Sequence, residues 1–207
     1  MIRLIFVFLL VAVHAVPALA APLNVRVVDG KGRPVQDAVV TLRPTAALSM
    51  PLSVSGRYSV TQKDMQFHPF VLVVPVGADV SFPNRDASKH HVYSFSPAKR
   101  FELKLFARDQ SRSVHFDKPG VVALGCNIHD AMTAFIVVTD SPWTARTDAQ
   151  GVAQFDNPPN SAARLSVWHP FLRAPGNMAA TQIGAGHRTH RFIVNLRPAP
   201  MRMAHDY

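Results

Sequence analysis

The chain has one cysteine, Cys126, among its 207 residues. A single cysteine excludes an internal disulfide, a metal cluster held by two cysteines, and covalent haem attachment, which needs two cysteines followed by a histidine. Charged residues make up 17% of the chain and aromatic residues 9%, alongside 17 prolines and 10 glycines. This composition excludes a long helical array and a disordered tail, and it is typical of a turn-rich globular protein.

The first twenty residues have the pattern of a secretory signal peptide. Arg3 precedes an apolar run from Leu4 to Val13, and the small-residue site Ala18-Leu19-Ala20 follows. The run is shorter than the ~20 apolar residues of a membrane-spanning helix. We therefore predict that residues 1–20 are cleaved, that the protein is periplasmic, and that the mature chain has no transmembrane segment.

An exported protein with an unpaired thiol needs some protection for that thiol. In an oxidising compartment a free cysteine is open to disulfide exchange and oxidation unless it is buried or bound to a metal. A buried structural cysteine is the simpler alternative, because free cysteines are among the most buried residue types. The residues around Cys126 distinguish these two readings.

Short apolar runs separated by turn residues account for almost all of the mature chain, and no stretch has a convincing helical period. We therefore predict an all-β fold. Leu23 to Val28 and Ala38 to Leu42 flank the polar turn Asp29 to Pro34, and this pattern predicts a hairpin. Further strands are predicted at 70–76, 80–82, 91–95, 101–105, 114–116, 121–124, 134–138, 145–147, 152–155, 164–169 and 191–196.

The chemistry-bearing motif is Cys126-Asn127-Ile128-His129-Asp130-Ala131-Met132, a C-x-x-H-x-x-M loop between two apolar runs. Thiolate, imidazole and thioether are soft or borderline donors, which favours copper, with zinc second. Two histidines, one cysteine and a weak axial methionine form a blue-copper site, so one histidine must come from elsewhere in the fold. The segment 82–92 contains His90 and His91, and on an alternating strand only one of them faces inward.

The stretch from Ser59 to Asp140 resembles a cupredoxin of the plastocyanin, pseudoazurin and amicyanin group. The matching features are the Val76-Gly77 turn leading into Val80 to Asn84, the segment Phe116 to Gly120, and the ligand loop, whose short length is most similar to amicyanin. The wider chain also resembles exported bacterial proteins labelled methylamine utilisation proteins. The resemblance implies a Greek-key sandwich, one type 1 copper ion, and an electron carrier that is not an enzyme.

Carried over by position, the resemblance implies that His90, Cys126 and His129 are the equatorial ligands and Met132 the axial one. The spacing from Asn84 favours His90 over His91 as the first ligand. Members of the family usually have Pro before this histidine and Asn after it, where the present chain has Lys89 and His91. In the family that Asn helps to tie the two ligand loops together.

Other readings use the same donors differently. A periplasmic copper carrier or sequestering protein would hold copper on the same four residues without redox cycling. Catalytic zinc would need an open coordination position and a general base, but Met is a poor zinc ligand and Asp130 is predicted to be a solvated turn residue.

Two further groups of residues are candidates for other roles. His187 and His190 form an H-x-x-H pair that is predicted to lie on an exposed polar edge. Phe82, Phe95 and Phe116 are predicted to form an apolar shell around the thiolate or ordinary core.

The flanking segments resemble a carboxypeptidase regulatory-like, transthyretin-type β-sandwich. The resemblance rests on Val25 to Leu42 and on Thr147 to Ala153 followed by Arg164 to His169. It implies that residues 22–56 and 141–197 pair as one sandwich into which a copper domain of residues 57–140 is inserted. We predict that residues 198–207 form a short tail.

The chain is basic, with a formal charge of +9. Without residues 1–20 it has 21 basic and 13 acidic residues, a charge of +8, of which residues 57–140 carry +2 and the remainder +6. High basicity usually suggests nucleic acid, which an exported protein does not meet. We expect an acidic redox partner, such as a cytochrome c or a periplasmic dehydrogenase, or an anionic membrane surface.

Overall fold

The computed structural model describes residues 21–46 and 52–198. The predicted signal peptide, residues 47–51 of the first flanking segment and nearly all of the predicted tail lie outside the described residues. Within the described ranges no helix has the length and apolar character needed to cross a membrane. The predicted all-β fold is confirmed: these ranges contain seventeen strands and a single turn of 3₁₀ helix at Pro175–Asn177.

Ten strands lie in the centre of the chain and form one β-sandwich, here called the central sandwich. They are β3 (Tyr58–Ser59), β4 (Thr61–Lys63), β5 (Gln66–His68), β6 (Val71–Pro75), β7 (Ala78–Pro83), β8 (His90–Ser96), β9 (Lys99–Phe106), β10 (Ser111–Phe116), β11 (Gly120–Gly125) and β12 (Thr133–Thr139). Its two sheets have the strand orders β10-β7-β3 and β6-β12-β11-β8-β9, with β4 and β5 paired as a separate hairpin.

The core of the central sandwich follows from period-two alternation. Along β7 the side chains of Ala78, Val80 and Phe82 are buried, whereas Asp79 is exposed and Ser81 is partly exposed. The same alternation on β11 and β12 brings Val122, Leu124, Ala134 and Ile136 into one buried cluster that also contains Cys126 and Met132. The metal-donor candidates therefore lie at the edge of a packed apolar core.

Seven strands from the two ends of the chain form a second sandwich, here called the flanking sandwich. They are β1 (Leu23–Asp29), β2 (Val39–Pro44), β13 (Thr144–Arg146), β14 (Val152–Phe155), β15 (Ala163–Trp168), β16 (Met178–Ile183) and β17 (Thr189–Val194). The sheets are β14-β1-β17 and β13-β2-β15-β16, so strands from before residue 45 and after residue 140 share both sheets. They enclose one apolar core that includes Val25, Val40 and Leu165.

The predicted hairpin of the first two strands is wrong. β1 pairs with β14 and β17, whereas β2 pairs with β13 and β15, so the two strands belong to opposite sheets. The polar turn forms as expected, because the Asp29 carboxylate accepts the backbone N–H groups of Lys31 and Arg33. The chain then crosses between the sheets after a single bridge from Val28 to Pro34.

The two sandwiches pack against each other through an apolar interface. Val39 and Trp168 of the flanking sandwich meet Val71 and Phe135 of the central one, and the rings of Phe135 and Trp168 are 5.6 Å apart. Partly buried residues of β6, β11 and β12 complete this interface. The flanking sandwich thus covers the β6-β12-β11 side of the outer face of the five-stranded sheet.

Candidate metal centre

Neighbouring strands bring the predicted donors together. His90 is the first residue of β8, Cys126 directly follows β11, and the loop 126–132 leads into β12. β8 and β11 are adjacent, with Gly125 opposite Tyr93. The start of β8 therefore lies beside the loop that carries the other three donors.

Three donor atoms converge without any reorganisation of the chain. The Nδ1 atoms of His90 and His129 each lie 3.9 Å from the Cys126 sulfur, and the three donors are all within 4.8 Å of one another. A metal ion about 2.0–2.3 Å from each nitrogen and sulfur would fit among atoms spaced in this way. Among the described residues this is the one group of three such donors.

Met132, the predicted axial donor, is 1% exposed and belongs to the same buried cluster as Cys126. Its backbone N–H donates to the His129 carbonyl at 2.9 Å, which closes the loop into a tight turn. His129 is half-buried, and its neighbours Asn127 and Ile128 are exposed. The loop therefore presents one imidazole near the surface and keeps the sulfur donors inside.

A carboxylate fixes the tautomer of His90. Nε2 of this fully buried imidazole lies 2.7 Å from the Asp86 carboxylate, which also accepts the backbone N–H groups of Asp64 and Met65 at 2.6 and 3.0 Å. Because Nε2 donates to Asp86, Nδ1 faces Cys126: the neutral ring offers the Nδ1 lone pair to a metal, whereas the protonated ring donates its Nδ1–H to the sulfur. Carboxylates in this position orient metal-binding histidines and raise their basicity.

A buried amide holds the loop that carries Asp86. Asn84 donates to the carbonyls of Ser88 and Phe106 at 2.8 and 3.1 Å and accepts the backbone N–H of Asp86 at 2.8 Å. With its polar groups bonded, Asn84 is stable inside the core. The chain from Asn84 to His90 is thereby tied to β9 before any metal binds.

The thiol of Cys126 is poised to ionise. Burial of the 2% exposed side chain raises its pKa, but the hydrogen bonds from His90, the backbone N–H groups of His91 and Ile128, and His129 outweigh that effect. The pKa falls from its usual 9.0 to about 6. Burial also lowers the pKa of His90, but its contacts with Cys126 and Asp86 raise it overall. The site favours an imidazole–thiolate arrangement.

His90 and His91 point in opposite directions. The imidazole of His90 faces Cys126, whereas Nε2 of His91 lies 2.9 Å from the Glu102 carboxylate on β9. The backbone N–H of His91 nevertheless donates to the Cys126 sulfur. The backbone N–H of His91 thus links the two segments that carry the predicted ligands.

The remaining polar candidates lie apart from this centre. The rings of His187 and His190 are 6.4 Å apart, and His187 bonds to the Gly184 carbonyl. Asp130 is exposed, as predicted for a solvated turn residue. Two further histidines serve local contacts: His115 pairs with Asp79 at 3.0 Å, and His169 accepts the backbone N–H of Phe171 at 3.3 Å.

The predicted apolar shell is wrong at one of its three positions. Phe82 and Phe116 are fully buried in the central core, but Phe95 is 76% exposed. His90, Val92 and Ser94 are buried on β8, and alternation therefore places Phe95 on the outer face. Phe101 packs between the other two rings instead, with centroid distances of 5.8 and 6.2 Å.

Sequence reasoning missed Asp86, the role of Asn84 and the contact between Tyr93 and Gly125. The Asn84-Arg85-Asp86 run is a turn-forming pattern that could have indicated a rigid loop before His90. The contact with Gly125 joins adjacent strands, so no local pattern would have revealed it.

The centre is that of a β-sandwich protein with a preformed site of two imidazoles and one thiolate. No protein-family model and no curated protein matches the chain. Among similar solved structures, a copper-containing nitrite reductase from Thermus scotoductus SA-01 is 25% identical over 47% of this chain, with a TM-score of 0.40. The chain spans 25% of that reductase.

Two smaller copper proteins are similar over almost their whole length. A purple cupredoxin from Nitrosopumilus maritimus is 19% identical, with 40% of this chain and 99% of that one aligned and a TM-score of 0.37. The M98A mutant of amicyanin in its Cu(I) form is 23% identical over 50% of this chain and 99% of its own, with a TM-score of 0.38. The resemblance to methylamine utilisation proteins stays a prediction.

Proposed function

We propose that this protein is an exported one-electron carrier with a type 1 copper ion held by His90, Cys126, His129 and Met132. The convergence of two imidazole nitrogens on one buried sulfur, all within 4.8 Å, is the observation that carries the proposal. This donor set suits copper better than zinc, because one of its four members is a thioether.

Bound copper would supply a one-electron change between Cu(I) and Cu(II). The chain's own residues do the rest: Asp86 fixes the His90 tautomer, and the N–H groups of His91 and Ile128 hold the thiolate. A packed core resists movement of donors that it surrounds. Buried Met132 and Cys126 would therefore keep similar positions in both oxidation states, which lowers the reorganisation that electron transfer requires.

We assign the carrier role to residues 57–140 and propose that this copper domain is inserted into the sandwich formed by residues 22–56 and 141–197. The shared sheets and the single apolar core of the flanking sandwich support this division. Because the two sandwiches meet through Trp168 and Phe135, the flanking one would also hold the copper domain in a fixed orientation.

The proposed partner is a periplasmic redox protein with an acidic surface. Arg26 and Arg191 stand opposite each other on β1 and β17, both exposed, and no carboxylate of the described residues forms an ion pair with either. Neighbouring like charges repel, so an acidic surface that contacts both would relieve that repulsion. Residues 1–20, with their signal-peptide pattern, support export.

The visible spectrum of purified mature protein loaded with Cu(II) tests the function. We expect an intense thiolate-to-copper band that ascorbate bleaches and reoxidation restores. The Cys126→Ser variant should lack the band, whereas Asp130→Asn, an exposed change in the same loop, should keep it. A colourless protein that binds only Cu(I) would instead identify a copper carrier or sequestering protein.

A further inference from the structure

Three aromatic side chains form a row on the outer face of β8. The ring centroids of His91 and Tyr93 are 5.6 Å apart, and those of Tyr93 and Phe95 are 5.2 Å apart. Alternate residues of a strand share a face, so this row points away from the core that receives His90 and Val92. It begins at buried His91 and ends at Phe95, which is largely exposed.

The inner end of the row lies beside the thiolate ligand and the residue that precedes it. The backbone N–H of His91 donates to the Cys126 sulfur. Tyr93 on β8 lies opposite Gly125 on β11, the residue before Cys126. A Cβ atom on Gly125 would lie 2.7 Å from Cζ of the Tyr93 ring. The φ angle of Gly125 is not in the left-handed region, so glycine is needed here to make room for the tyrosine ring.

The fold leaves the outer end of this row, at Phe95, exposed. The flanking sandwich packs on residues of β6, β11 and β12, whereas the β8-β9 side of the same face carries Phe95 and the exposed Arg100 opposite it. A single exposed phenylalanine is common on protein surfaces. Phe95 differs because ring contacts connect it to the residue that precedes Cys126.

We propose that Tyr93 and Phe95 form an electron path between the surface and copper bound at Cys126, separate from the His129 loop. The path rests on the proposed function. Electron tunnelling weakens exponentially with distance and crosses bonded or packed atoms better than gaps, so a ring packed on Gly125 strengthens the coupling. In each event a surface-bound one-electron oxidant is reduced while Cu(I) becomes Cu(II), and no proton or atom is transferred.

Flash photolysis with a tethered photo-oxidant tests the path. A cysteine-reactive ruthenium polypyridyl complex is attached at Arg100→Cys, directly across from Phe95, while bound copper shields Cys126 from the label. The matched label is placed at Lys63→Cys, an exposed position on the β4-β5 hairpin. The rate of Cu(I) oxidation after the flash is measured with Tyr93 intact, in Tyr93→Leu, and in Tyr93→Phe, which keeps the ring.

We expect Tyr93→Leu to slow oxidation several-fold from the Arg100→Cys label and to leave the Lys63→Cys rate unchanged. Tyr93→Phe should restore the fast rate, and the reduction potential and visible band should be the same in all three proteins. Equal rates in a blue Tyr93→Leu protein, or a slowing from both labels alike, would overturn the path and leave the proposed function intact. A protein without the charge-transfer band would overturn both.

Discussion

Both sandwiches enclose apolar cores, but the polar residues that they bury differ in kind. The flanking sandwich buries Thr147 and His169 beside its apolar core. The central sandwich buries Asn84 and His90, and His90 belongs to the three-donor group with Cys126. Burying polar groups costs free energy unless each finds a partner, and here Asn84 and His90 are hydrogen-bonded at short distances.

That difference indicates how the chain separates stability from chemistry. The flanking sandwich places no member of the three-donor group in its core, and it contacts the central sandwich through apolar side chains. We therefore expect core substitutions in the flanking sandwich to change the free energy of unfolding without changing the metal site. Substitutions around the donors of the central sandwich should change copper binding.

The largest effect is expected from a core truncation in the flanking sandwich. Leu165→Ala removes a fully buried side chain on β15 and should lower the free energy of unfolding by about 2–5 kcal/mol. The copper absorption band and copper affinity should not change. Denaturant unfolding of the metal-free protein measures the first quantity, and copper titration the second.

Leu165→Met is the matched control, because a volume-conserving exchange should cost less than about 1.5 kcal/mol. If Leu165→Ala weakened copper binding as strongly as it weakened folding, the two sandwiches would not be separable in this way.

The thiol of metal-free Cys126 should be unusually acidic. Because hydrogen bonds from His90, His129 and two backbone N–H groups outweigh burial, Cys126 should titrate with a pKa of about 6 rather than 9.0. The thiolate is then present above pH 6 and is lost as the pH falls through that value. Ultraviolet absorbance of the thiolate measures the midpoint, with Cys126→Ser as the background.

The lowered pKa should depend on the folded site. In denaturant the midpoint should return to the ordinary cysteine range. Copper binding should weaken below pH 6, where protons compete for the sulfur. A midpoint near 9.0 in the folded protein would show that these hydrogen bonds do not stabilise the Cys126 thiolate.

A smaller effect is expected at the carboxylate behind His90. Asp86→Asn replaces one acceptor oxygen by an NH₂ donor. The amide side chain can then no longer accept hydrogen bonds from His90 and from the backbone N–H groups of Asp64 and Met65 at the same time. Loss of such a partner typically lowers metal affinity about 10–100-fold. Competition with a copper chelator measures the change, and Asp109→Asn, an exposed carboxylate paired with Arg85, is the control.

Equal copper affinities for Asp86→Asn and the unaltered protein would mean that the His90 tautomer is set by another contact. Equal losses in both aspartate variants would point to general charge effects instead of the hydrogen bond to His90.

Local patterns in the sequence carried most of the fold and the donor set. The C-x-x-H-x-x-M spacing predicts three donors because a short loop keeps its own residues close, and alternation on β8 allows only one of His90 and His91 to face inward. What local pattern could not supply was pairing between distant segments. The predicted hairpin of β1 and β2 is wrong for that reason, because each strand pairs with strands more than a hundred residues away.

The same limit explains the errors around the site. Residue type alone groups Phe95 with Phe82 and Phe116, but strand alternation starting from buried His90 turns Phe95 outward. The Asp86 carboxylate and the Tyr93 ring act on His90 and Gly125 through contacts that the fold creates. Partners such as Asp86 orient the ligands of a metal site, and a ligand motif alone does not reveal them.

The most direct test of the central claim is protein-film voltammetry of the copper-loaded protein with a Cu(I) chelator in solution. A one-electron carrier must keep its metal in both oxidation states. We predict a reversible one-electron couple whose amplitude persists over repeated cycles and is absent in Cys126→Ser. Loss of the couple after the first reduction, with copper appearing on the chelator, would contradict the account and identify a protein that delivers copper instead of electrons.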